Sequence, residues 1–168
     1  MIPCPACDAV AYQVIGSRRR KGKTGDGGER IYSIRRLRCQ KCKVIHHELP
    51  DCLVPYKRYE AEVIEATIEE PADLADLSDL PVEQSTLLRW RDWFFTLAEH
   101  WLSFLRSLAR QGRMNLSVNG LSDRSQPVRQ RIGQLVGDAG GWLARLVRPL
   151  ANHHYWLHTR SACLSGRG

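Results

Sequence analysis

Four cysteines in the first quarter of the chain are spaced as metal ligands. They form two C-x-x-C pairs, Cys4–Cys7 and Cys39–Cys42, with 31 residues between the pairs. Two intervening residues let a tight turn direct both thiolates at one ion, and a structural Zn(II) takes four such ligands in a tetrahedron. The spacing therefore predicts a Zn(II) cofactor held by Cys4, Cys7, Cys39 and Cys42. An iron–sulfur cluster and a redox dithiol are the alternatives, and the second is weakened because no βαβ pattern follows the first pair.

Other cysteines and histidines are interpreted as structural residues. His46 and His47 lie close to the second pair, and either could replace a cysteine as a ligand. Four thiolates already complete a tetrahedral site, so both histidines are interpreted as strand residues. Cys52 and Cys163 have no pairing partner at metal-ligand spacing, and we expect them to be small, buried apolar residues.

The segment between the cysteine pairs predicts a long β-hairpin. Two β-type runs, Val10–Ile15 and Ile31–Leu37, flank a charged, glycine-rich stretch at 16–28. Such a pattern indicates strands joined by an exposed, flexible tip, which would bring the two cysteine pairs together. A segment of this size has too small a core to be stable alone, so the metal would supply much of its folding energy. The combination predicts a zinc ribbon.

Cations concentrate on this hairpin and suggest contacts with phosphate. A flexible cationic ribbon on a metal-held base could lie along a nucleic-acid backbone or enter a groove, and a solvated loop is the alternative. Gly22-Lys23-Thr24 is not the end of a nucleotide-binding loop, because Gly16 lies one residue too far upstream and no helix signal follows. The residues predicted to contact phosphate are Arg18, Arg19, Arg20, Lys21, Arg35 and Arg36.

Charge is divided unevenly along the 168 residues. Residues 1–60 carry 13 basic and 6 acidic side chains, whereas residues 61–85 carry 8 acidic side chains and no Lys or Arg. Residues 86–168 carry 12 basic against 4 acidic side chains. Twenty of the 25 cations are arginine, whose rigid guanidinium fork suits phosphate oxygens. This balance favours DNA as the partner.

Two amphipathic segments predict a helix-turn-helix in the second part of the chain. Residues 59–70 and 85–110 both show a helical apolar period. The first turns of the second helix carry the small polar and cationic residues that recognition helices use to read bases. The acidic linker at 71–80 argues against this assignment, and the wide aromatic face around Trp93 leaves two alternatives, a core helix or a helix that packs on a protein partner or a second copy. The predicted base-reading residues are Ser85, Thr86, Arg89 and Arg91.

The last part of the chain predicts one further helix and a tail. A start signal at Ser125 and Pro127 precedes an apolar stripe that runs from Ile132 to Leu150, and Pro149 should end the helix. The predicted fold class is therefore α+β, a small antiparallel zinc ribbon followed by an all-helical region. The predicted boundaries are 1–56 for the ribbon, 57–113 for the helix-turn-helix-like domain and 114–168 for the C-terminal helix and tail.

No motif predicts catalysis or membrane insertion. The sequence contains no nucleophile elbow, no H-E-x-x-H and no phosphate-binding loop. No stretch approaches the length of uncharged apolar residues that spans a bilayer, and the first residues do not read as a signal peptide. We therefore expect a cytoplasmic protein that is not an enzyme.

Several blocks resemble an uncharacterised bacterial family. They include Ile34-Arg35-Arg36-Leu37-Arg38-Cys39, His46-His47-Glu48-Leu49-Pro50-Asp51 and Ser85-Thr86-Leu87-Leu88-Arg89-Trp90. The family is a domain of unknown function, common in Firmicutes and discussed beside transposon-type proteins. The layout is also similar to the zinc-ribbon plus helix-turn-helix front end of insertion-sequence transposases, a likeness of architecture only.

The sequence thus predicts a zinc-dependent DNA-binding protein without catalysis, a regulator or a mobile-element accessory. Two alternatives remain open. One is a protein-interaction adaptor that docks through the ribbon and an exposed apolar patch between Trp93 and Trp101. The other is a fragment of a transposase.

Overall fold

The computed structural model describes residues 3–69, 81–114, 125–153, 155 and 161–162. In chain order its elements are β1 (Tyr12–Lys23), β2 (Glu29–Cys39), β3 (Ile45–Glu48), α1 (Ala61–Glu69), α2 (Gln84–Arg110), α3 (Val128–Val136), α4 (Trp142–Asn152) and β4 (Ser161–Ala162). Strands β1, β2 and β3 are antiparallel neighbours, and the two-residue β4 runs parallel to β3. The predicted α+β class is confirmed.

The β1–β2 hairpin is longer than predicted, and its basic residues lie in a strand. β1 continues through residues 18–21 to Lys23, so only residues 24–28 form the turn. The expectation of a flexible cationic tip is wrong because Gly22 belongs to the sheet. A Cβ at Gly22 would lie 2.9 Å from the Tyr32 ring and 3.1 Å from Leu53, so this glycine permits close packing instead of chain flexibility.

The long helix α2 is the centre of the helical half. It packs against α1, α3 and α4, and its core-facing side chains are fully buried, Phe94, Leu102 and Leu105 among them. The ring of Phe94 contacts the buried ring of Trp142 edge-on, with centroids 5.4 Å apart. Helix α2 begins at Gln84, one residue before the predicted start at Ser85. Most of the aromatic side chains of α2 are therefore packed in the hydrophobic core, Trp90, Phe94 and Trp101 among them.

The C-terminal part contains two helices where one was predicted. Gly137 and Gly141 both have positive φ, at 88° and 82°, and end α3 and begin α4. The guanidinium of Arg145 donates hydrogen bonds to carbonyls in this bend, including those of Val136 (2.6 Å) and Gly140 (2.9 Å). Pro149 lies inside α4 instead of ending it, and the helix continues to Asn152 because residues 150–152 are buried.

A buried carboxylate joins α1 to α4. Glu65 of α1 is 4% exposed and accepts hydrogen bonds from the backbone N–H groups of Gly141 (2.7 Å) and Leu143 (2.8 Å). These N–H groups belong to the start of α4. N–H groups at the start of a helix have no acceptor within the helix, and the helix dipole stabilises a negative charge placed beside them. Glu65 therefore caps a helix that lies more than seventy residues downstream in sequence.

One hydrophobic cluster spans the three segments of the chain. Ile34 and Leu49 from the ribbon join Leu53, Val54 and the buried faces of all four helices. The ribbon therefore rests on the helical core. Among the described residues, no helix combines the length and apolar character needed to cross a bilayer.

Candidate metal centre and cationic pocket

The two C-x-x-C segments adopt the same backbone turn. The N–H of Asp8 donates to the carbonyl of Cys4 (2.8 Å), and the N–H of Lys43 donates to the carbonyl of Cys39 (3.0 Å). Asp8 and Lys43 have φ of 58° and 62°, so each occupies the left-handed position where glycine is easiest to accommodate. Each turn closes with the N–H of its first cysteine donating to a carbonyl five residues later.

Folding of the hairpin brings the four sulfurs together. Cys4 Sγ lies 3.7 Å from Cys42 Sγ, Cys7 Sγ lies 3.6 Å from Cys39 Sγ, and all four lie within 4.8 Å of one another. A zinc ion at about 2.3 Å from each sulfur of a regular tetrahedron requires sulfurs about 3.8 Å apart. The predicted ligand set therefore forms a cluster of the size that could hold a metal ion such as zinc.

The protein environment makes the four thiols unequal. Burial raises the pKa of Cys4 to about 12. Burial also acts to raise the pKa of Cys39, but hydrogen bonds from the backbone N–H groups of Cys42 and Lys41, together with those from the thiols of Cys7 and Cys42, outweigh it and lower that pKa to about 6. Backbone N–H groups that stabilise the Cys39 thiolate would also stabilise the same sulfur when it is bound to a metal. At neutral pH the Cys4 thiol carries a proton, and metal binding would displace that proton.

His46 lies beside the thiol cluster without belonging to the ligand set. It sits on β3, as predicted, and is 1% exposed. Its Nε2 lies 3.3 Å from Cys4 Sγ, within hydrogen-bond distance for a contact with sulfur. With Nε2 protonated, the imidazole would donate to the Cys4 thiolate and fix the orientation of that ligand. The sequence placed His46 near the site, but only the β2–β3 pairing shows which cysteine it contacts.

Six cationic residues line a concave pocket at the edge of the sheet. The pocket has a volume of about 340 Å³ and is lined by residues 18–21 of β1 and residues 56–58 of the connection to α1. Its lining residues are six Arg and Lys residues and Tyr56. We call this feature the cationic pocket. Four of the six predicted phosphate-contacting residues line it, namely Arg18, Arg19, Arg20 and Lys21.

The other two predicted phosphate contacts lie elsewhere on β2. Arg35 forms a two-point ion pair with Glu48 of β3, with 2.8 Å between Nη2 and Oε1, so its charge is largely compensated. Arg36 is half-buried opposite His47. Neither residue is part of the pocket lining.

The predicted base-reading residues divide into two groups. Arg89 is exposed near the start of α2 and bonds back to the carbonyl of Ser85 (3.0 Å) and the hydroxyl of Thr86 (3.1 Å). Arg91 faces inward, where its Nη1 donates to the carbonyl of Thr67 at the end of α1 (2.9 Å). The structure thus uses Arg91 to join α1 to α2. Residues 70–80, which would form the turn of a helix-turn-helix, lie outside the described part of the chain.

A single lysine connects the pocket to α2. The Nζ of Lys57, which lines the pocket, lies 4.0 Å from the ring centroid of Trp93. Trp93 follows Arg89 by one helical turn, so both side chains lie on the same face of α2. Sequence reasoning missed residues 56–58 because the predicted domain boundary fell at Tyr56. The pair Lys57-Arg58 was a visible signal, but only the chain reversal that follows β3 brings it to the edge of β1.

Comparison with known proteins identifies a family. A family model described as a domain of unknown function (DUF6431) matches residues 4–90, which include all four cysteines and the whole cationic pocket. No curated protein and no solved structure matches the chain. The match covers more than half of the 168 residues, as the resemblance to an uncharacterised family predicted. The chain belongs to the family described as Domain of unknown function (DUF6431).

Proposed function

We propose that the protein is a zinc-dependent DNA-binding protein without catalysis, acting as a regulator or a mobile-element accessory. The observation that carries this proposal is the cationic pocket, in which six cationic residues line one concave surface of a ribbon whose four clustered thiols could hold a metal ion. Zinc at the four thiols would hold one end of the hairpin, and the helical core holds the other. The cations would then be presented on a rigid support.

The exposed start of α2 supports a second point of contact. Arg89 is exposed and lies one turn from Trp93, whose ring contacts Lys57 of the pocket. DNA lying across the pocket would therefore reach the first turns of α2, where Ser85, Thr86 and Arg89 would face it. Phosphate contacts in the pocket would position the DNA, and these side chains would contact its bases.

The adaptor alternative has less support from the burial pattern. Docking through Trp93 to Trp101 requires an exposed apolar patch, but Phe94, Ala98 and Trp101 are buried and Trp93 lies under Lys57. Of the large apolar side chains described on α2, Leu88 and Phe95 are the ones with substantial exposure, 49% and 43%. These two form a narrow surface.

The test combines metal analysis with a salt-titrated DNA-binding assay. We expect one zinc per chain, and DNA affinity that falls with salt by roughly 0.9 in log–log slope for each neutralised phosphate. Chelation should weaken binding, because the cysteine end of the ribbon would lose its support while the turn end stays on the apolar core. Affinity that does not change with salt, or that is unchanged by chelation, would contradict the proposal.

A further inference from the structure

The cationic pocket has the properties of a binding site for one nucleotide. We propose that it binds a backbone phosphate of single-stranded DNA, with the adjoining unpaired base stacked on Tyr56. This inference rests on the proposed function and specifies the form of DNA that the pocket takes. Its added residues are Tyr56, Lys57 and Arg58, none of which the sequence had assigned to a site.

The pocket is preorganised by backbone hydrogen bonds. Nη2 of Arg20 donates to the carbonyls of Val54 (2.9 Å) and Lys57 (2.6 Å), which fixes the 54–57 segment against β1. The N–H of Lys23 donates to the carbonyl of Arg58 (2.8 Å), and this bond fixes the far side of the pocket. Because both walls are held before any ligand arrives, an anion would bind without ordering a loop.

The positive charge of the pocket is poorly compensated. Within the described ranges, Lys21 pairs with Glu29 at 2.8 Å, but no ion pair is found for Arg18, Arg19 or Arg58. The pKa of Arg20 is lowered by burial and by the neighbouring charge of Arg18. Like charges on a concave surface repel one another, and a bound anion would relieve that repulsion. The guanidinium forks of Arg18, Arg19 and Arg58 suit phosphate oxygens.

Tyr56 extends the pocket beyond a simple anion site. Its side chain is 66% exposed, whereas the adjoining Pro55 is buried. Its φ of 62° is a left-handed conformation, which costs a bulky residue about 1 kcal/mol or more, and residues held in such conformations cluster at functional sites. An exposed aromatic ring at the mouth of a phosphate site offers a stacking surface to a base.

Stacking on Tyr56 selects single strands over duplex. In a duplex the bases are stacked on one another inside the phosphate backbone, so a ring beside a bound phosphate cannot reach a base face. In a single strand the base next to the bound phosphate is free to turn onto an aromatic ring. The pocket volume of about 340 Å³ leaves room for the phosphate and part of its sugar.

The experiment compares charge reversals inside and outside the pocket. Fluorescence anisotropy would measure the zinc-loaded full chain with a labelled thymidine oligonucleotide, and with the same strand annealed to its complement. The pocket variant is Arg58→Glu, and its matched control is Arg110→Glu. Arg110 is exposed at the end of α2, roughly 25 Å along the helix from Trp93. Circular dichroism and zinc content would establish that both variants fold.

We expect Arg58→Glu to weaken single-strand binding by about tenfold and to reduce the salt slope by about 1, with a much smaller effect of Arg110→Glu. Tyr56→Ala should weaken single-strand binding by about tenfold and leave duplex binding unchanged. Tyr56→Phe, which keeps the ring, should bind single strands as the unmodified protein does.

Equal losses in Arg58→Glu and Arg110→Glu would overturn the pocket while leaving DNA binding intact. Equal losses on both DNA forms in Tyr56→Ala would overturn the stacking assignment. Absence of binding to either DNA would overturn the proposed function as well.

Discussion

The two ends of the β1–β2 hairpin are held by different forces. At the cysteine end, four thiols cluster and the nearby apolar side chains Val10 and Val14 are 60% and 56% exposed. At the turn end, a Cβ on Gly27 would lie 3.4 Å from Pro81, and Leu53 packs beneath Gly22. The cysteine end therefore has little apolar packing and would depend on a bound ion, whereas the turn end depends on the apolar core. One pair of strands would then be stabilised in two different ways, and we expect each source of stability to be removable without the other.

The largest expected effect comes from removing the metal. Cys39→Ser or chelation should accelerate amide hydrogen exchange in β1 and β2 near Tyr12 and Cys39 by a hundredfold or more, because structural zinc contributes on the order of 10 kcal/mol in small sites. The amides of α2 should stay protected, since that helix is held by its buried apolar face. Exchange that rises equally in α2 would show that the two ends form one cooperative unit.

Local signals in the sequence predicted the cysteine end well. The spacing of Cys4, Cys7, Cys39 and Cys42 depends on turns of four residues, so it could be interpreted without tertiary information. The extent of β1 could not be predicted in this way. Gly22 reads as a loop residue, and its place in the strand depends on Tyr32 and Leu53, which approach it from other segments.

The helical half shows the same limit. The apolar period of α2 predicted its bounds to within a residue, because a long amphipathic pattern is a strong local signal. The break between α3 and α4 was missed, since Arg145 satisfies the carbonyls of the bend through side-chain contacts that no periodicity reveals. The cap from Glu65 and the approach of Lys57 to Trp93 are likewise products of the tertiary fold.

A smaller effect on stability is expected from a substitution in the helical half, which is held by its apolar core. Glu65→Ala removes the acceptor of two backbone N–H groups in α4 and should lower the free energy of unfolding by about 2 kcal/mol. Urea denaturation would measure the loss, and zinc content should not change. Glu62→Ala is the matched control, since Glu62 is exposed on the same helix. A similar loss in both variants would mean that the cap contributes little.

The smallest expected effect is a gain at the cysteine end. Lys43→Gly should raise stability by somewhat less than 1 kcal/mol, because glycine relieves the left-handed φ of 62° but loses more entropy on folding. The rate of zinc transfer to a chelator should fall. Lys41→Gly removes the same charge in the same turn at a position without positive φ, so it should not slow that transfer. A slower transfer in Lys41→Gly would assign the effect to charge instead of backbone geometry.

The position of β1 at the rim of the sheet has a consequence for self-association. Beyond its contact with the 58–60 segment at Lys23, the outer side of β1 is paired with no strand in the described part of the chain. Such an edge is a template onto which a second molecule could add, and lysines and arginines on it oppose that addition. We therefore expect the cationic residues at 18–21 to oppose such an addition. Substituting them with alanine would remove this repulsion and invite aggregation, whereas glutamate preserves a charged edge.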